Sequence, residues 1–532
     1  MLNLKPLPQS NQACLRPAAA GGTQFYKWLK GASCILALFA LATAACAQSS
    51  DPLLNLFIKK GYVTQDEADK VKAELEASRT NNADVSLTKW KISNGVKTAE
   101  LFGDIRLRFE DRQVQTLANG KVDLGRFRYA LRLGLRGDLV DNFYYGFRLE
   151  TAANPRSPWV TFGASTSGAP YQGPFGKSAA GIDLGQIYLG WRPADWADIT
   201  VGKMQNPLYV TPMLWDSDIN PEGAAERFKY TVGEADFFAN FGQFLYADDN
   251  PVRTSPGFFP AFAIGQHSSV PFLLSWQGGL IYHLNKDMSL KVAATLYNYD
   301  GRGQNNTAPG AATTTPGFSD VFVGESGYGL PGVAVPGANQ PGANDGFALN
   351  QTGINNLQVI DFPFEFNFKI ARQHARFFGD FAQNLEGAQR AEAAVAAAKT
   401  AFLPHPLALQ KYDNTAYQFG FAIGNGENLG LAYGSALKKN VWEARVYWQH
   451  VEQYALDPNL LDSDFFEGRG NLQGFYSAFA YGLTDAVIGT IRYGFATRIN
   501  DKLGTGGSNQ DIPQVNPIKQ YQLLQLDLTC KF

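Results

Sequence analysis

Cysteine, histidine and long apolar runs are what this chain has least of. Beyond residue 47 its 532 residues keep one cysteine, Cys530. That excludes an intrachain disulfide and a cysteine-built metal or haem centre. No apolar run there reaches the ~18 residues that mark a membrane-spanning helix. The five histidines, His267, His283, His374, His405 and His450, are scattered without metal-ligand spacing. No G-x-S-x-G elbow and no G-x-x-x-x-G-K-[ST] phosphate loop occurs, and "GASTSG" at 163–168 has the composition of a loop. The expectation is therefore no enzyme, no metal and no cofactor.

Excess charge is missing too. Lysine and arginine number 46 against 48 acids, for a formal net charge of −2. At the N-terminus, Lys27 and Lys30 precede the uncharged "GASCILALFALATAACA", which ends Ala45-Cys46-Ala47 before Gln48. This reads as a signal peptide over 1–47; the run is short for an anchor, and Thr43 is a poor residue ahead of a lipid-bearing Cys46. Its removal takes Lys5, Arg16, Lys27 and Lys30 and moves the net charge from −2 to −6. A mildly acidic exported chain is not a nucleic-acid binder.

Aromatics, at 13 % of residues, and 54 glycines are abundant, a combination that suits a large all-β protein. "GRFRYALRLGLRG" sets Arg126, Arg128, Arg132 and Arg136 against Phe127, Tyr129, Leu131, Leu133 and Leu135. A strand sends alternate side chains to opposite faces, so one face here is greasy and the other cationic. "DIRLRFED", "NFYYGFRLET", "IDFPFEFNFKI" and "LLQLDLTCKF" repeat the pattern. Sixteen such segments start near residues 101, 125, 142, 182, 197, 224, 235, 272, 288, 355, 373, 413, 439, 471, 485 and 518. Connections are expected to alternate strictly in length. Short ones such as "RPADWAD", "TVGE" and "LTD" take turns with long ones such as 154–181, 246–271, 300–353 and 386–413. "FAIGNGENLGLAYGSALKKN" is read as part of one long strand over 413–436, and "AQRAEAAVAAAKTAF" as a short helix.

That alternation suits an up-and-down barrel in a membrane, tight turns at one end and long loops at the other. In hydrocarbon every backbone N–H and C=O must be paired within the protein, so a sheet spans only when closed. The predicted fold is an all-β, transmembrane antiparallel barrel of about 16 strands. Its apolar face meets lipid, and its arginines face a water-filled lumen. Residues 98–532 form the barrel. Residues 48–97 form a periplasmic helical hairpin and linker, with Gly61 ending one helix and Thr64 and Glu67 boxing the next.

"LLNLFIKKGYVTQDEADKVKAEL", "VGKMQNPLY" running into "LWDSDINPEG", "FFGDFAQNLEG", "VWEARVYWQHVEQYALDPNLLDSDF" and a last strand ending in Phe532 carry a family likeness. The chain resembles the putative outer-membrane porins of Gram-negative bacteria and, more loosely, the phosphate-selective and general-diffusion porins. The resemblance implies an integral outer-membrane channel, with the N-terminal segment periplasmic, for passive diffusion of small hydrophilic solutes or ions. It implies a homotrimer among outer-membrane lipid, and Phe532 as the signal read by the barrel-assembly machinery. It also implies that 205–223 folds into the lumen.

The expected basic lining is Arg106, Arg108, Arg126, Arg128, Arg132, Arg136 and Arg148, from three consecutive strands. Asp216, Asp218 and Glu222 would face it across the narrowest point, setting up a transverse field; alternatively that loop stays outside and its acids are solvated or bind a surface Ca²⁺. Asp361 and Glu365, with Asp380 and Glu443, are the acids of later strands that could oppose the arginines instead. The rival reading is a non-conducting barrel used for adhesion or structure through its long loops.

Overall fold

The computed structural model describes residues 94–152, 157–163, 181–246, 272–300, 357–392 and 412–532, less 117–118, 435–436, 502, 506–510, 513–514 and 516–517. The expected signal peptide and almost all of the helical hairpin lie outside the described residues.

Sixteen antiparallel strands make up the wall: β1 (Glu100–Thr116), β2 (Lys121–Asp138), β3 (Phe143–Ala152), β4 (Gly181–Ala194), β5 (Ala197–Lys203), β6 (Glu222–Val232), β7 (Ala235–Leu245), β8 (Phe272–Asn285) and β9 (Met288–Asp300) come first. Then follow β10, β11 (Gln373–Asn384), β12 (Thr415–Gly424), β13 (Trp442–Val451), β14 (Leu472–Gly482), β15 (Val487–Arg498) and β16 (Ile518–Lys531). β10 comes in two pieces, Gln358–Asp361 and Phe364–Ile370, each paired with both β9 and β11. Pro363 falls in the break, where a residue without an N–H cannot serve the ladder. A two-residue strand, Val160–Thr161, adds itself to β2 from inside the β3–β4 connection. No strand starts more than four residues from its expected position.

The barrel closes by pairing β16 with β1, Cys530 opposite Ile105 and Leu526 opposite Phe109. Phe532 completes the seam: its carbonyl accepts from the Gly103 N–H at 2.9 Å, and its own N–H donates to the Gly103 carbonyl at 3.1 Å. Closure leaves no edge with unpaired backbone groups, which is what lets a sheet sit in hydrocarbon.

The outer face carries a broad apolar band. Ile105, Phe127, Leu131, Leu133, Phe147, Ile187, Leu189, Val201, Phe364, Phe377, Phe419, Val446 and Ile491 are exposed there. Aromatic pairs sit near the turn end, Phe143 with Trp191 at 5.8 Å and Trp442 with Phe479 at 6.4 Å, where such rings favour a membrane interface. Tight turns follow from residues that tolerate left-handed backbone: Asp141 and Asn142 carry φ of 57° and 63° between β2 and β3.

Two connections break the expected alternation of lengths. The β1–β2 link at the long-loop end is only 117–120. At the turn end, 425–441 is long, because β12 stops at Gly424 instead of running to 436. A strand over 413–436 would reach roughly 80 Å at about 3.3 Å per residue, far beyond the ~25 Å apolar band of such barrels. The surplus chain turns inward through a short 3-10 helix, Leu431–Tyr433, whose Leu431 and Ala432 are buried. Of the expected helix after 386, residues 387–392 are helical and the rest lie outside the described residues.

Candidate functional site

The inner faces of β1, β2 and β3 carry the seven expected arginines, and strand register sets their spacing. Arg108 stands directly opposite Arg128, Arg126 opposite Glu110, and Arg132 opposite Asp104. Two arginines side by side would repel. The structure answers with Glu110, fully buried, whose carboxylate lies 2.6 Å from Arg126, 3.0 Å from Arg112, 3.6 Å from Arg128 and 3.8 Å from Arg108. Neither Glu110 nor Arg112 was expected here from the sequence. Their signal was present, as polar positions in phase with Arg106 and Arg108, but it named a face and not a partner.

Described residues of four loop-end connections meet this wall. From the β3–β4 connection, Trp159 lays its ring 4.0 Å from the Arg108 guanidinium and 5.9 Å from that of Arg128, geometry for cation–π attraction. From the β5–β6 connection, 204–221, Asp218 bonds to Arg132 and lies 4.0 Å from Arg106. From the β13–β14 connection, 452–471, Asp464 accepts from Arg108 at 2.6 Å. From the β15–β16 connection, Asp511 lies 2.7 Å from Arg126 and 3.1 Å from Arg112. On the wall itself Asp527 holds Arg108 at 2.8 Å and bonds Arg492.

The 204–221 loop crosses the interior. One end is tied to the arginine wall through Asp218. The other is tied to the far wall, where Thr211 donates to Asp380 on β11 and the Tyr209 N–H donates to Gln277 on β8 at 2.8 Å. The 452–471 loop is joined to it: the Asp216 N–H donates to the Leu460 carbonyl at 2.6 Å, and Ser463 donates its N–H and hydroxyl to the Asp216 carboxylate at 3.1 and 3.0 Å. Met213, Leu214 and Trp215 pack in one buried apolar cluster with Leu460, Leu461, Phe465 and Phe466. Nothing in "DPNLLDSDFFEGRG" distinguishes this inserted loop from a solvated one; only the fold shows it.

Burial among other acids pushes the Asp216 carboxyl up to about 7, Asp218 and Asp464 being the charges that add to it. Asp462 is raised as well, by burial and then by Asp216 and Asp464. Burial would raise Asp218 too, but Arg132 and Arg106 more than offset it and hold that carboxyl below its ordinary range. Arg108 does the same for Asp464. Beneath the two loops lies a cavity of about 460 Å³, lined among others by Arg106, Arg108, Asp462, Asp464, Arg492 and Lys531.

The remaining expected residues fall elsewhere. Arg136 sits at the turn end of β2 paired with Glu100 at 2.8 Å, and Arg148 pairs with Glu150 at 3.0 Å. Glu222 is not brought to the arginines: it opens β6 and pairs with Lys203 at 2.6 Å. Asp361 and Asp380 are buried on the far wall, while Glu365 pairs with Arg376 at 3.4 Å. Glu443 pairs with Arg445 at 2.9 Å and accepts from the inward-turning Leu431 N–H at 2.6 Å. Arg445 in turn lies over the Tyr433 ring at 4.1 Å.

A closed sheet with an apolar outside, a charged inside and loops folded into its interior is an integral β-barrel of the outer membrane. The chain belongs to the family described as "Putative porin", whose model matches residues 71–532. It is a channel protein by family and fold. No curated protein matches the sequence. Among solved structures it is similar to an anion-selective porin from Comamonas acidovorans (8 % identity, TM-score 0.40, covering 82 % of this chain and 99 % of that one). It is also similar to the outer-membrane expressed OmpT of Vibrio cholerae (8 % identity, TM-score 0.37, covering 84 % and 100 %).

Proposed function

We propose that the barrel passes small hydrophilic solutes by passive diffusion along the arginine wall of β1–β3, with the 204–221 and 452–471 loops setting the narrowest passage. One observation carries this reading: both loops lie inside the barrel and are pinned to the arginine side, through Asp218 and Asp464. The wall is a lattice of paired charges and not an open cationic field, since each of the seven arginines has a carboxylate within 4.0 Å. Such a lining favours polar and zwitterionic solutes and gives modest ion selectivity.

A homotrimer fits one stretch of wall. β5 has seven residues, a rise of about 23 Å before any tilt. Next to it Gln243 donates to Glu226 at 3.0 Å on the outward face. A short strand beside a polar outward pair is better covered by a second protein surface than by lipid. Phe532, on the seam, stays the proposed signal to the assembly machinery.

Single-channel recording of the purified protein in a planar bilayer, with reversal potential in a KCl gradient, tests the channel reading. Stepwise openings with a small reversal potential support it. The apolar cluster between the two inserted loops favours a second reading, an occluded barrel acting through its surface loops, and a correctly inserted but silent barrel would establish that instead.

A further inference from the structure

The far wall holds two acids with no counter-charge. Asp361 on β10 and Asp380 on β11 are 0 % and 2 % exposed, and their carboxyl groups are in direct contact. Among the described residues neither forms an ion pair. Asp380 accepts from Thr211 and from the Phe381 N–H, Asp361 accepts from the Phe362 N–H, and the two carboxyl groups hydrogen-bond each other. The nearby bases are committed elsewhere, Arg376 to Glu365 and Arg445 to Glu443.

A second observation points into the same spot. Gln418 on β12 stands directly opposite Asp380, is 2 % exposed, and leaves both its amide oxygen and its amide nitrogen without a partner. Tyr297 on β9, also buried, lies near enough to interact electrostatically with both carboxylates. Four adjacent strands thus converge oxygen-bearing side chains on one buried point, where two acids lack a counter-charge and an amide is orphaned, both of which cost stability.

We infer that Asp361, Asp380 and Gln418 form a cation site in the barrel wall that takes Ca²⁺. Two carboxylates call for a divalent ion. An all-oxygen donor set suits a hard cation, and an irregular one suits Ca²⁺, with 6–8 flexible ligands, better than Mg²⁺ with its strict octahedron. Waters complete the shell. A proton shared between the two acids would quiet their repulsion, but it would leave both polar atoms of the buried Gln418 amide unpaired. Because Asp380 also anchors Thr211, the ion would stiffen the point where the 204–221 loop meets the far wall.

The test is the metal content of the detergent-purified barrel after dialysis against Ca²⁺ and gel filtration, by atomic emission, alongside Tb³⁺ luminescence sensitised by tyrosine. The expected result is about one Ca²⁺ per chain, Tb³⁺ emission competed by Ca²⁺ but not by equal Mg²⁺, and loss of both in Asp361→Asn and Asp380→Asn. Because a single variant could fail to insert, Gln418→Leu serves as a second, uncharged one; it is expected to weaken Ca²⁺ retention at least tenfold. Wild-type protein free of stoichiometric Ca²⁺, or Ca²⁺ equally retained by folded Asp361→Asn, would overturn the site and leave a shared proton as what neutralises the pair.

Discussion

Arg108 on β1 and Asp464 of the 452–471 loop meet at 2.6 Å although 356 residues separate them in the chain. That contact ties the loop to the seam of the barrel, because Arg108 is also held by Asp527 on β16. Strand closure and loop insertion thus meet at one guanidinium. Replacing Asp464 by asparagine keeps the shape and removes the charge. The expected outcome is a loosened loop, seen as a larger and noisier single-channel conductance with unchanged barrel assembly. A current trace identical to wild type would show that the apolar cluster alone holds the loop.

Glu110 is a separate case, because it is buried among four arginines and reaches no solvent. Breaking a buried ion pair by removing one partner costs about 3–5 kcal/mol, since the partner charge stays behind. Glu110→Gln leaves Arg112, Arg126 and Arg128 leaning on Asp511, Glu467 and backbone carbonyls. The variant should unfold at markedly lower temperature in heat-modifiability gels, and its reversal potential should move toward anions. Wild-type stability would mean that water or another carboxylate replaces Glu110 at no loss.

How far the sequence could be read follows from which contacts are local. Phe127, Leu131 and Leu133 alternate with Arg128 and Arg132 within a single strand, so two-residue periodicity alone assigns their faces. Of the loop acids that meet the arginine wall, Asp218 at Arg132 is expected from the family resemblance, whereas Asp464 at Arg108 and Asp511 at Arg126 lie in loops whose composition says only that they are loops. Glu110 was visible as an inward position, yet its four partners depend on register with β2. The 425–441 connection misled for a related reason: glycines between apolar residues read equally as a bulged strand or as chain turning inward. The bilayer thickness decides between them, and that constraint acts on length, not on pattern.

Asp216 makes the join between the two inserted loops sensitive to pH. Its folded-state pKa of about 7 lies above the ordinary carboxyl value near 3.9, so the joined state binds the proton more tightly. The stabilisation is then fully present below about pH 4 and declines as pH rises to about 7. Asp462 adds to this decline, while Asp218 and Asp464, held ionised by Arg132, Arg106 and Arg108, do not. Conductance should therefore be higher and noisier at pH 8 than at pH 5, and Asp216→Asn should flatten most of that difference. A pH profile unaltered in the asparagine variant would place the titrating group elsewhere.

Selectivity itself should respond unequally along the arginine wall. Arg132 is tightly matched, bonded to Asp218 and 3.2 Å from Glu150. Arg128 is the least matched: its nearest carboxylate is 3.6 Å away, and one Nη reaches only the Trp159 carbonyl at 3.3 Å. A charge already neutralised by a neighbour contributes little field to a passing ion, so Arg128 should contribute more than Arg132. Neutralising each to glutamine and then reversing it to glutamate, with reversal potentials read in a KCl gradient, separates the two. The expected shift toward cations is larger in the Arg128 pair than in the Arg132 pair. If neither pair moves the reversal potential, the arginine wall is a scaffold for the loops and the ion filter lies elsewhere in the barrel.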